Sequence, residues 1–557
     1  MLITNNSRWW QDAFNAFAFN NRILFLYFLF QAFHTFNIIQ LTSAVLIPEP
    51  EKNFMYKFFI ALAFFIIPTQ GSTQVLPKEG GKLHYRIIGF SFPKISNKNS
   101  YTIQIAKGNY NTVDSFKKNV TITLNSRKNK IVAEVPAFGT AYTWRVVYHN
   151  PTSSDTAGGL NHFSTNYIKL VDTNNTRLRI IRSAVKYKDA YVFLDGTKTL
   201  YDMKGNPVWS LPDINGVGAP PRDLKLTPQK TITFLLDNHA YEINYDCDIL
   251  WKSPNDGKVS GTLGEGYNHE FTRLRNGHYM VLGKKPFLWE LPTTIDSSVL
   301  NAPGEIIVHD TIAKKYYQKM EFGTVIEYDT SGKVLWSWNP SEYLKNSDLY
   351  YRRTLEGLFD LDVHENSFFF DEHDQVIYLS FRDVSRVLKI KYPEGNVLAS
   401  YGGAYKPGNR EVQKGLFCHQ HSCRFSEDGY LYLYNNNGCN PNERPKVIMM
   451  KEQGGAKDSL KKVWEYECDL PGMNEKTPID PAFMAGGNVL ELPDHSLFVS
   501  MCVLYGNVFI ISKDKKILWN AISEIYNPAK KKWKVQASYR ASIITHKDLE
   551  DLVWKEE

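Results

Sequence analysis

Two interleaved hairpin repeats, each occurring six times, predict an all-β chain: a six-bladed β-propeller preceded by a small N-terminal β-sandwich. An aromatic content of 14%, with 32 Tyr and 33 Phe, points the same way, as do polar turns rich in Gly and Asn. The 557 residues exceed one ordinary domain, and 43% hydrophobic residues supply ample core.

The first repeat is an apolar stretch, a turn, and an apolar stretch ending in an aromatic. It reads LYDMKGNPVW to Trp209, YEINYDCDILW to Trp251, IEYDTSGKVLW to Trp336 and LKIKYPEGNVLASY to Tyr401. Later copies are KDSLKKVW to Trp464 and FIISKDKKILW to Trp519. Asp and Gly make the turn of a hairpin, and the terminal ring packs between neighbouring sheets. The second repeat reads HEFTRLRNGHYMVLG from His269, HENSFFFDEHDQVIYLS from His364 and HSCRFSEDGYLYLYN from His421. Weaker copies are RIIRSAVKYKDAYVFLDG, RDLKLTPQKTITFLLDN and GGNVLELPDHSLFVSM. Two hairpins give the four strands of a blade, and blades of roughly 40–60 residues are normal once loops are included. The six copies lie over residues 167–530, and the stretch 290–320 reads as an inserted loop or lid. The hairpin turns count against a β-helix, whose strands are parallel.

Residues 81–165 hold short alternating strands such as SYTIQIAKG, NVTITLNS and AYTWRVVYHN, the pattern of a small sandwich. The expected domains are residues 75–165 for the sandwich and 166–557 for the propeller. Ahead of them, Lys57 and the apolar run at 56–67 have the form of a signal peptide, with Thr69 and Gly71 at the −3 and −1 positions of a cut. Met55 then reads as the true start, residues 1–74 as a spurious extension plus signal, and the destination as periplasmic or secreted. No membrane attachment is expected after cleavage. The alternative is an anchor built from the apolar residues 23–48.

The net charge of +7 is mild, and no dense basic tract with interleaved aromatics suggests nucleic acid. Six cysteines are too few for a disulfide scaffold.

Three of the 14 histidines, His269, His364 and His421, open the same hairpin in three successive clear copies. Equivalent positions in a propeller are related by rotation about the central axis, so the repeat phase alone brings these three together at one mouth of the channel. Arg382 lies near the end of the hairpin that His364 begins. Three histidines invite zinc, but no in-phase carboxylate completes a metal set, and Arg382 welcomes an anion instead. No metal is therefore expected. Cys418, His419, His421 and Cys423 could form a compact metal knuckle, but in an exported chain a Cys418–Cys423 disulfide across the loop is the preferred reading.

These residues resemble the bacterial aryl-sulfate sulfotransferases. The resemblance covers residues 80–530 and is most specific in NHEFTRLRNGHYMVL, DLDVHENSFFFDEHDQVIYLSFRDVSRVLKI and HQHSCRFSEDGYLYLYNNNG. It implies transfer of a sulfuryl group from an aryl sulfate to a phenol, without nucleotide or other cofactor, by a ping-pong route through a sulfated histidine. By motif match His421 is the nucleophile, in preference to His419, and His269, His364, Asn366 and Arg382 hold the sulfuryl oxygens. His269 or His364 would carry the proton of the phenol. Tyr267 is expected to wall the aryl ring and Ser500 to touch the sulfate. The chain departs from the family pattern at Asp362–Val363 and at Phe381, which bears on substrate preference. Rival readings are a quinone- or metal-dependent propeller enzyme and a non-catalytic binding scaffold. A homodimer through the N-terminal domain is a further expectation.

Overall fold

The computed structural model describes residues 74–555, apart from 96–99, 151–152, 215, 291–306, 345–351, 354–358, 361–362, 403–414, 427, 439–442, 454–458, 474–484 and 502–504. Residues Thr73–Glu557 form one compact unit. The expected signal segment and residues 1–54 lie outside the described residues.

The chain is all-β and propeller-like. Among the described residues, six sheets have an antiparallel four-stranded core. Four follow chain order from their edge: the second from Arg222–Leu226, the third from Phe271–Arg273, the fourth from Glu365–Asp371 and the fifth from His421–Phe425. The sixth runs from Asn488–Glu491 to Ile517–Asn527 and gains Thr176–Arg182 on its far side. In the first, Tyr191–Leu194, Thr199–Asp202 and Pro207–Ser210 are completed by Ala541–Ile544 from the other end of the chain.

That closure corrects two expectations. RIIR does not form a hairpin with AYVFLDG; it pairs with the sixth sheet instead. The repeats do not stop near residue 530, because the missing edge strand of the first sheet lies beyond it. The stretch 290–320 is also more than a loop. Tyr279–Glu290 and Lys315–Tyr328 pair continuously from Tyr279–Tyr328 to Glu290–Tyr317, and Ile307–Asp310 joins this ribbon.

The outer hairpins share a local cause. In all six, the register shifts by a residue at the same place, as at Leu200/Tyr201, Glu242/Ile243 and Glu327/Tyr328. In the first, the Asp202 carboxylate accepts from the Lys204 and Asn206 amides, and Gly205 supplies φ +88°. A side chain that bonds its own turn and a left-handed residue three positions on make the tight reversal.

The aromatic that ends each outer hairpin links one sheet to the next. Trp209 Nε1 donates to Tyr245 O at 2.9 Å, Trp336 Nε1 to Pro393 O at 2.8 Å and Trp464 Nε1 to Lys513 O at 2.8 Å. Trp251 stacks on Tyr279 at 3.9 Å, and the Tyr401 hydroxyl donates to Glu452. Trp519 Nε1 donates to Met203 O at 3.1 Å, joining the sixth sheet back to the first. Apolar clusters fill each junction, for example Trp251, Phe271 and Tyr328 between the second and third sheets. Where the ring is fully buried, as at Trp209 and Trp519, it contributes about 1.5–3 kcal/mol through area alone, and the indole N–H is satisfied as burial requires.

The N-terminal strands form a six-stranded sheet and a two-stranded one, Ile87–Ser91 with Lys130–Glu134. Their core, with Phe90 and Trp144, is continuous with that of the first two sheets around Trp209 and Phe234. The Arg86 guanidinium donates to Pro207 O at 2.9 Å, and the Tyr245 hydroxyl donates to Ile87 O at 3.0 Å. Among the described residues no helix is long and apolar enough to cross a membrane.

Candidate active site

The site is built from the residues that enter the edge strands of the six sheets. Tyr539 and Arg540 precede Ala541–Ile544, Arg222 and Asp223 begin the second sheet, and His269 and Glu270 precede the third. His364 to Asn366 enter the fourth, His421 begins the fifth, and Gly486 precedes the sixth. His269 and His364 hold φ +60° and +59°, a left-handed conformation that is uncommon outside glycine and clusters at functional sites.

The structure brings the three histidines together, two of them against the ring of Tyr539. The His269 and His364 centroids are 4.9 Å apart. The ring of Tyr539 lies 5.5 Å from His269 and 6.0 Å from His421. His421 and His269 are buried, and His364 is half-buried. Arg382 joins His364 through the backbone, its amide donating to His364 O at 2.9 Å. Its Nε donates to Asp383 at 2.7 Å. Burial would raise the Asp383 carboxyl, but the charge of Arg382 and the adjoining histidines hold it well below the usual carboxylate range.

The state of His421 follows from its partners. The Gly486 N–H donates to His421 Nε2 at 3.2 Å. A backbone amide can only donate, so Nε2 is unprotonated and carries the lone pair. Nδ1 therefore holds the proton and donates it to Asn436 Oδ1 at 2.7 Å. Asn436 is fixed in turn, because its Nδ2 donates to Gly486 O at 3.1 Å. Burial, and then the charge of Arg382, push the His421 pKa well below 6.5. Burial, with His364 and Arg222 adding, does the same to His269. Both rings are neutral bases at neutral pH.

This neutrality has a consequence for stability. The unfolded chain binds protons on these histidines near pH 6.5, and the folded chain binds them only at much lower pH. Between those values the unfolded state holds more protons, so stability rises with pH and is lost as pH falls below about 6.5. Each pKa unit of displacement is worth about 1.4 kcal/mol per group. Chemical denaturation at about pH 7 and about pH 5 is expected to show that loss, and His269→Gln is expected to reduce it. Equal losses in the two proteins would contradict the assignment.

A buried ion cluster ties the histidine turns together. Arg540 Nη1 donates to Asp223 at 2.8 Å and to Glu270 at 2.5 Å, and its Nη2 donates to Asn366 O at 2.6 Å. Glu270 also accepts from Lys225 and from Arg424, both at 2.8 Å. Burial opposes ionisation of Glu270, but Arg424, Arg540 and Lys225 outweigh it and hold the carboxyl far below its usual range. One network thus touches residues beside His269, His364, His421 and Tyr539.

Several expected contacts fall elsewhere. Asn366 is buried, with its Nδ2 donating to Gln420 O at 2.7 Å, so it supports the turn before His421. Tyr267 is a core residue: its ring packs with Trp251 and Phe271, and its hydroxyl shares a 2.6 Å hydrogen bond with Tyr328. Ser500 is buried at the end of its strand opposite Asn488, and no hydrogen bond or ring contact joins it to the histidines among the described residues. Cys423 is a free thiol inside the apolar cluster between the fourth and fifth sheets, so the Cys418–Cys423 bridge is not formed. With Cys423 facing that cluster and both His421 nitrogens engaged, the knuckle reading has no support either. Phe381 and Val363 pack in the core between the third and fourth sheets.

Sequence reasoning missed Arg222, Asn436, Gly486, Tyr539 and Arg540. For Arg222 and Gly486 the signal was present, since both open weak copies of the hairpin that the histidines open. Gly486 has φ +78°, and a Cβ there would lie 2.4 Å from Tyr539 O, so only glycine brings this amide to His421.

Fold and site define a propeller-like β protein whose centre combines neutral imidazoles with fixed guanidiniums, suited to an anion. The family model Arylsulfotransferase (ASST) matches residues 298–473, which include His364, Arg382 and His421. Over that part of the chain the match supports the arylsulfotransferase family and an enzyme of the sulfotransferase type. No curated protein matches the sequence. Similar solved structures include dihydro-heme d1 dehydrogenase NirN in complex with DHE, at 12% identity over 67% of this chain and 78% of that one, TM-score 0.31. A protein from Lactobacillus plantarum is 10% identical over 80% and 99%, TM-score 0.30. Apo AztD from Citrobacter koseri is 8% identical over 80% and 98%, TM-score 0.28. Similarities this weak carry nothing about the site.

Proposed function

We propose that this protein is a nucleotide-independent aryl-sulfate sulfotransferase that moves a sulfuryl group from an aryl sulfate to a phenol through a sulfated His421. The observation that carries the reading is the neutral His421 ring, with its lone pair on Nε2 and its proton pinned on Nδ1 by Asn436. A neutral imidazole is a competent nucleophile, and a covalent step divides one transfer into two. Attack by Nε2 displaces the Gly486 N–H, which is then left beside the arriving group as a donor to a sulfuryl oxygen. Arg382 supplies fixed positive charge, and an N–H of His364 supplies a further donor. Preorganised donors of this kind are each worth about 10²–10³ in rate.

The architecture that supports this reading is a six-bladed propeller, closed by Ala541–Ile544 and carrying a β-sandwich ahead of it. The cyclic order of the aromatic links favours six blades. The signal-like segment around Lys57 supports export to the periplasm or beyond. A homodimer through the N-terminal strands is the expected assembly.

The test uses the chain from residue 75 onward, produced in an oxidising compartment, with 4-nitrophenyl sulfate and phenol. Release of 4-nitrophenolate that requires phenol is the expected result. Release that ignores phenol would make the protein a sulfatase. Loss of activity on chelation would favour a metal enzyme, and no release across a panel of aryl sulfates would favour a binding scaffold.

A further inference from the structure

We infer that Tyr539 is the residue that hands the proton to the departing phenol and takes it back from the incoming one. This role rests on the sulfuryl-transfer reading and adds a catalytic residue to it.

A phenolate leaving group needs an acid that still holds its proton at neutral pH. His269 and His421 do not meet that need. Burial and the surrounding guanidiniums keep them neutral, and a neutral imidazole N–H is a poor acid. Tyr539 stands between these two rings, 5.5 Å from His269 and 6.0 Å from His421. Part of its residue surface is exposed, yet its hydroxyl oxygen is buried and has no hydrogen-bond partner among the described residues. The hydroxyl therefore points inward. Leaving a buried hydroxyl unpartnered costs stability, so a group kept that way in a functional centre has a use.

The backbone of Tyr539 is held on both sides. Its N–H donates to Asp195 at 2.9 Å, and its carbonyl accepts from the Gly487 N–H at 2.9 Å. Gly486, whose amide reaches His421, is packed against that same carbonyl. The nucleophile and the phenol are thus positioned by one short stretch of chain. The guanidiniums of Arg222 and Arg540 lie 5.2 and 5.5 Å from the ring centroid. Burial pushes the Tyr539 hydroxyl up to about 12, while these arginines pull the other way. It keeps its proton until negative charge develops beside it, and the arginines then favour the tyrosinate.

The step balances without a co-reactant. His421 Nε2 bonds to sulfur as the S–O(aryl) bond breaks. The leaving oxygen takes the Tyr539 proton, and a tyrosinate remains. In the second half-reaction the acceptor phenol gives its proton to that tyrosinate while its oxygen bonds to sulfur and the N–S bond breaks. Donor, acceptor and carrier are all phenols, so each proton transfer runs between oxygens of the same chemical kind.

The experiment compares wild type with Tyr539→Phe on aryl sulfates of graded leaving-group pKa. With phenyl sulfate, kcat/KM is expected to fall about 10²–10³-fold. With 4-nitrophenyl sulfate, whose phenolate leaves readily without a proton, the fall is expected to be much smaller. In wild type, the solvent deuterium isotope effect is expected to grow as the leaving group becomes poorer, a measurement that needs no variant. A loss equal for all donors together with a constant isotope effect would overturn the role of Tyr539 and leave sulfuryl transfer standing. A wild-type protein that transfers no sulfuryl group would overturn both.

Discussion

Replacing His421 with alanine is expected to abolish sulfuryl transfer, with a loss on the order of 10⁴–10⁶ in kcat/KM. The nucleophile is the atom that bonds to sulfur, and no donor set around the site can replace that bond. Labelling with an aryl sulfate lacking acceptor is expected to add one sulfuryl mass to the wild type and none to the variant. The neighbouring His419 supplies the control. Its backbone N–H is held by Ser385 Oγ at 3.1 Å and its ring lies against Gly438. His419→Ala is expected to keep the label and most of the rate. A labelled His421→Ala, or an unlabelled His419→Ala that still folds, would move the nucleophile to His419. The His421 variant also leaves the Gly486 amide without its imidazole acceptor, at about 1–3 kcal/mol for a buried polar group, so its folding is to be checked by thermal denaturation.

Arg540→Met is expected to damage stability and activity together. Arg540 is the buried cation between Asp223 and Glu270, and it also holds the carbonyl of Asn366. Methionine keeps an unbranched apolar stem but leaves the two carboxylates with Lys225 and Arg424 as their only cations among these contacts. Removing one partner of a buried ion pair costs about 3–5 kcal/mol, because the remaining charge is left uncompensated. Denaturant titration is expected to show that loss. Activity should fall beyond what unfolding explains, since Glu270 and Asn366 carry the turns of His269 and His364. A variant with unchanged stability would mean that the cluster is solvated and does not organise the site.

Much of this molecule was legible in its sequence. The aromatic that ends each outer hairpin is required wherever one sheet must cover the next, so Trp209, Trp336, Trp464 and Trp519 mark the sheets. The phase of His269, His364 and His421 placed them at equivalent edge-strand entries, because a residue at the same point of a repeat stands at the same point of its sheet. Residue type near a motif does not say which way a side chain faces, as Asn366 and Tyr267 illustrate. Asn366 turns to Gln420, and Tyr267 turns into the core. The cysteine pair failed for the same reason: Cys423 faces the apolar junction of two sheets.

The sequence by itself determined the all-β class, the repeat that multiplies one sheet pattern, and the histidine trio. These depend on local hydrophobic period, turn chemistry and position within a repeat. Only the tertiary structure decided that Ala541–Ile544 returns to the first sheet, carrying Tyr539 and Arg540 beside histidines more than a hundred residues away in sequence. Closure joins the two ends of the chain, and no local pattern encodes which strand will meet which. The same holds for the tautomer of His421, which depends on an asparagine and a glycine amide brought from two different strand ends.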